Sequence, residues 1–186
     1  MEPTLLFAAL GAAIAARQDH REAFAMVRPG LDYPAEARAK DAAGRGWRLG
    51  GDDLYPDALD CLRSLRDHGL VVGLAGNQPA AAVDALAGLG LPVDFIASSE
   101  RWGVNKPSPV FFDRVVAEVG LPARSIVYVG DRLDNDVLPA KRAGMRAVFI
   151  RRGPWGIVHA TWPEVAEADA RIESLAEVPA LLGREA

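Results

Sequence analysis

The stretch VYVGDRLDNDVLPAKRAGM, residues 127–145, changes character at a single point, Asp131. Val127, Tyr128 and Val129 form a short apolar run that reads as a buried strand, and Gly130 ends it. Asp131, Asp134 and Asp136 follow closely. A carboxylate placed directly after such a strand projects from the rim of a sheet, and hard oxygens held together suit a magnesium ion. From Asp136 to Ala143 the pattern turns helical, Gly144 stops it, and RAVFI (146–150) returns to strand. One unit of strand, acidic turn, helix and strand points to a parallel sheet with crossover helices.

Upstream, the same alternation continues. Residues 107–119 form a helix with Phe111, Phe112, Val115, Val116 and Val119 as its apolar stripe. VDFIAS (93–98) and LVVGLAG (70–76) read as strands, separated by an alanine-rich helix from Pro79 to Leu86. Before them, Leu59, Leu62 and Leu65 share one helical face, and Gly69 ends that helix. The expected fold is α/β: a Rossmann-like three-layer sandwich with a mainly parallel sheet. Ligands in such folds bind beyond the carboxyl ends of the strands, here Gly76-Asn77, Ser98-Ser99, Gly130-Asp131 and Arg151-Arg152. Residues 16–55 lack a strand-like run and read as a small helical cap, with helices at 19–28 and 34–44. That leaves 1–15 and 56–186 as the α/β core, closed by a helix at 178–182.

The chain has 186 residues, half of them hydrophobic, with a net charge of −4. No basic stripe is present, which argues against a nucleic-acid partner. Cys61 is the only cysteine; it excludes an internal disulfide and falls on the apolar side of its helix. The run LLFAALGAAIAA (5–16) is too short to span a bilayer and has no basic residue before it, so neither a membrane nor export is expected. A cytoplasmic protein is the expectation. His20, His68 and His159 do not form a metal set. His68 reads as a contact with a helix C-terminus, and Asp52-Asp53 as a hinge that caps the next helix.

Three strand ends carry residues in an order that resembles the haloacid dehalogenase superfamily, mostly magnesium-dependent phosphohydrolases. VVGLAGNQP (71–79) resembles its second motif, NKPSPVFF (105–112) its third, and VYVGDRLDNDVLPAKRAGM its fourth. The resemblance implies that Lys106 and Asp131 are catalytic positions, vestigial here, and that Asp131 and Asp136 face a magnesium ion, bound weakly or not at all. Gly76, Asn77, Lys106, Arg17 and His20 would bind phosphate or another ligand, in a pocket shared with Trp47 and Trp155. Read from the residues alone, Asp131 and Asp136 could equally cap a turn and a helix, with Lys106 paired to them.

The family's first motif is an apolar strand followed by Asp-x-Asp-Gly-Thr, in which the first Asp attacks phosphorus and the second handles the proton. Laid against it, Leu5-Leu6-Phe7 matches the strand and Gly11 the glycine. Ala8 then stands at the nucleophile, Leu10 at the acid/base and Ala12 at the threonine. Gly76 replaces the hydroxyl residue of the second motif. These losses imply a pseudoenzyme: a chain whose ancestral reaction was magnesium-dependent phosphomonoester hydrolysis and which now binds a small phosphorylated or other anionic ligand, or a partner. The alternatives are an active hydrolase in which Asp131 or His20 promotes attack by water, and a structural role with 16–55 as an oligomerisation surface, for instance in a homodimer.

Overall fold

The computed structural model describes residues 2–45 and 48–183; Trp47 lies outside them. Helices α1 (Pro3–Ala15), α2 (Glu22–Val27) and α3 (Tyr33–Ala42) come first, then α4 (Ala58–Asp67). Strand and helix then alternate as β1 (Gly73–Gly76), α5 (Ala80–Gly88), β2 (Phe95–Ser98), α6 (Ser99–Trp102), α7 (Pro109–Val119) and β3 (Val127–Gly130). The chain continues through α8 (Leu138–Arg142), β4 (Arg146–Ile150), α9 (Gly153–His159), β5 (Ala170–Ile172) and α10 (Val178–Leu182).

All strand pairs are parallel, as the apolar strands and intervening helices required. They fall into two groups: β1 pairs with β2, and β3, β4 and β5 form a second ladder in that order. Helices cover both faces. On one, Phe111 and Phe112 of α7 pack with Leu133, Val137 and Phe149. On the other, Cys61 of α4 and Val178 of α10 pack with Val148, Ile150 and Ile172. Two glycines permit close approaches that a side chain would block. The ring of Phe95 lies over Gly73, about 2.1 Å from where a Cβ would stand, and Asp136 lies 2.5 Å from the Cβ position of Gly130.

The first expected strand is not formed. Residues 3–15 make helix α1, with Pro3 in its first turn, and α1 packs on α2 and α9. The reason lies in composition: five alanines and three leucines are among the best helix formers, and only Thr4 and Ile14 are β-branched. Residues 1–15 therefore do not supply a core strand. Ala8 is exposed and Leu10 half-buried on a helix, and neither stands at a strand end. The nucleophile and acid/base assignments to Ala8 and Leu10 are corrected accordingly, and with them the argument that those two residues record a lost reaction. The remaining helices and strands follow the expected order, with α6, α9 and β5 as additions. No helix among the described residues is long and apolar enough to cross a membrane.

Candidate functional site

Polar side chains converge where β1, β2 and β3 end. Asn77, just past β1, uses its whole amide on the main chain of Lys106: Oδ1 accepts from the Lys106 N–H at 2.7 Å and Nδ2 donates to its carbonyl at 2.9 Å. Asn77 is thus a positioning residue, and Lys106 is what it positions. The Lys106 Nζ donates to Asp136 Oδ1 at 2.5 Å, and the two side chains are only 10% and 5% exposed. The second Asp136 oxygen accepts the Arg132 N–H at 3.1 Å.

A π-helical turn over Leu133–Val137 carries Asp136 inward, and the bare Cα of Gly130 leaves room for it. Burial opposes the charge on Lys106, but Asp136 and the neighbouring Tyr128 outweigh it and hold the ammonium above its usual pKa.

Lys106 and Arg132 both act on Asp131 from nearby, but they are outweighed. Burial, and then the charge of Asp136, raise its carboxyl from the usual 3.8 to about 6. Gly153 at the start of α9 leaves space beside it, since a Cβ there would lie 3.6 Å from Asp131 Oδ2. Asp134 points elsewhere: it receives two bonds from Arg132, at 3.1 and 2.8 Å.

The other expected ligand residues are more dispersed. His20 meets the edge of Trp155 at 5.7 Å, and Arg132 lies 5.3 Å over the same ring, forming one aromatic and cationic rim. Burial lowers the pKa of His20, more than offsetting Asp19. Arg17 turns away: it binds Glu164 at 2.7 Å and stacks 3.9 Å over Trp162. Gly76 ends β1 with room for a hydroxymethyl group, its nearest neighbour being Gln78 at 3.5 Å from the Cβ position. His68 sits against the Ser64 carbonyl at 2.6 Å, as its position beside Gly69 suggested.

Three supports had no sequence signal. Buried His159 accepts the Leu133 N–H at 2.9 Å through Nδ1 and stacks on Trp162, which fixes the start of the acidic turn. Asp57 joins Arg152, Ser174 Oγ (2.6 Å) and the Leu175 N–H (2.9 Å), tying the entry to α4 to the last turns of the chain. Tyr128 donates across to the Ala75 carbonyl at 3.1 Å.

The arrangement brings together a buried cation, Lys106, matched by Asp136, and a nearby carboxyl, Asp131, that is protonated below about pH 6. The residues meet a divalent cation only halfway. Asp136 is already matched by Lys106, and no group of three acidic, histidine or cysteine ligands forms among the described residues.

The model of the haloacid dehalogenase-like hydrolase family matches residues 10–144. The chain is 39% identical to a glyceraldehyde 3-phosphate phosphatase of Methanopyrus kandleri over 104 residues, 54% of this chain and 45% of that protein. It is 35% identical to a phosphoserine phosphatase of Thermus thermophilus over 130 residues, 67% of this chain and 49% of the other. It spans about half the length of these relatives. A phosphatase structure from Thermococcus onnurineus shares the fold, with a TM-score of 0.64 at 24% identity over 97% of this chain and 89% of that one. With the strand ends, the buried lysine and the acidic turn in the family's order, the chain belongs to the haloacid dehalogenase-like hydrolases.

Proposed function

We propose that the chain carries the anion-facing side of a phosphomonoester hydrolase site, and that its 186 residues bind phosphorylated compounds without turning them over. The buried Lys106–Asp136 pair beside Asp131 carries this reading. Lys106 supplies the charge for a phosphoryl group, and Asn77 fixes its approach. His20, Trp155 and Arg132 form the rim that would meet the rest of the ligand. Asp136 is held by Lys106, which leaves Asp131 as the carboxylate among the described residues that lines the cavity at the ends of β1 and β3. Phosphatases of this family generally use magnesium; here the donor set is incomplete, and weak binding of that ion is the expectation. The relatives' names identify phosphorylated substrates as a class and select none for this chain.

The test is binding of inorganic phosphate by calorimetry alongside hydrolysis of p-nitrophenyl phosphate with magnesium. Binding that weakens about tenfold in Lys106→Met, with no turnover, is the expected result. Turnover by the unaltered chain would overturn it. The raised carboxyl of Asp131 favours one rival reading, in which Asp131 takes a proton from attacking water. That reading requires a rate that rises through about pH 6 and vanishes in Asp131→Asn.

A further inference from the structure

Helix α1 ends on a residue that its backbone does not favour. The Arg17 N–H bonds to the Ile14 carbonyl and the Gln18 N–H to that of Ala13, both at 2.9 Å, which closes the last turn around a left-handed residue. Glycine suits that position best, yet Arg17 occupies it at φ 57°, and it has the only positive φ outside glycine among the described residues. A helix stop needs no side chain there. What the side chain of Arg17 does is therefore the reason to look for.

That side chain leaves the helix and reaches the core. Its guanidinium donates to Glu164 at 2.7 Å and lies 3.9 Å over the ring of Trp162. Trp162 stacks on His159, with ring centroids 3.9 Å apart and planes 25° from parallel. His159 is 1% exposed, and its Nδ1 accepts the N–H of Leu133. Leu133 opens the π-helical turn that carries Asp136 to Lys106. Charge supports the same link. Burial lowers the pKa of His159; Asp134 opposes this, and Arg132 and Arg17 add to it, which keeps Nδ1 an acceptor.

Resting on the reading of Lys106 as the cation that binds phosphate, we propose that Arg17 and Trp162 are positioning residues for that site. Arg17 holds Trp162 on His159, His159 fixes the Leu133 amide, and the turn that begins there presents Asp136 to Lys106. The seating of α1 and α2 on the core is thereby coupled to the affinity for the anion.

Arg17→Gly separates the two roles of the position. It keeps the left-handed helix stop and relieves the backbone, so the urea midpoint is expected to stay close to that of the parent. Inorganic phosphate, followed by calorimetry, is expected to bind about fivefold more weakly. Hydrogen exchange at the Leu133 amide is expected to quicken about tenfold, while amides at 147–150, buried in β4, stay as they are. Glu164→Leu distinguishes positioning from charge. Losing a carboxylate makes the surroundings more positive and would by itself tighten phosphate binding, whereas releasing Arg17 is expected to weaken it. Trp162→Phe keeps an aromatic face for both neighbours and is expected to lose less affinity than Trp162→Ala.

Tighter binding in Glu164→Leu, or an unchanged affinity in Arg17→Gly, would overturn the proposal. So would faster exchange at 147–150 together with Leu133, which would make Arg17 a general support of the fold. A parent chain that binds no phosphate overturns the reading of Lys106 and the affinity claim with it; unchanged Leu133 exchange in Arg17→Gly overturns the positioning itself.

Discussion

Val129 and Val148 stand side by side in register on β3 and β4, yet their surroundings differ. β4 is paired on both edges and its last four residues are buried; β3 is paired on one edge and all four of its residues are half-buried. The sequences are of one kind, so composition does not make the difference. A two-sided strand is buried only when it has a neighbour on each side and a helix on each face. β3 has the helices and one neighbour. Across its other edge, the two strand groups are joined by polar bridges: Tyr128 to Ala75, and the relay from Asn77 through Lys106 to Asp136. The closed side is held by packing and the open side largely by charge.

That contrast breaks most sharply at Asp136. Asp136→Ala removes the far end of the relay and leaves the Lys106 ammonium buried without a partner, which is expected to cost about 3–5 kcal/mol in urea unfolding. It also removes the brace of the acidic turn, so phosphate binding is expected to disappear with it. Lys106→Met and Asp136→Leu together, which take out both charges, are expected to recover much of the stability and none of the binding.

The two valines give the next test. Val148→Ala opens a void in a closed layer and is expected to cost about 2–3 kcal/mol, whereas Val129→Ala enlarges a space that already exists and should cost about 1 kcal/mol or less. Equal losses would mean that the unpaired edge of β3 is covered in solution.

Much of this molecule is legible in its sequence. The ends of β1, β2 and β3 can be read because apolar runs stop abruptly at glycine or at polar residues; Asp131 can be read because it sits at such a stop, and Lys106 and Asp136 because each stands close to the start of a helix. The run 5–16 shows the limit. A wholly apolar stretch has no periodicity to separate a buried strand from a helix, and here the alanine and leucine content was the deciding signal. The one-sided pairing of β3 is a different kind of limit, because a strand's neighbours are a property of the assembled sheet. His159 and the Asp57–Arg152 tie share that character: both join residues far apart in the chain, 26 and 95 positions respectively.

The smallest expected effect is at the mouth of the open side. Asp131 binds its proton more tightly in the folded chain, near pH 6, than in the unfolded one, near 3.8. Between those values the folded state holds the extra proton, so stability declines as pH rises from about 4 to about 6 and stays lower above. Asp131→Asn removes this dependence. The variant is expected to match the parent below pH 4 and to exceed it at pH 7.5 by about 1–2 kcal/mol, allowing for the partial exposure of the group. Urea unfolding at the two pH values measures the difference. Sulfate, whose charge is constant over this range, should bind more tightly to the parent chain as pH falls through about 6 and show no such trend in the variant.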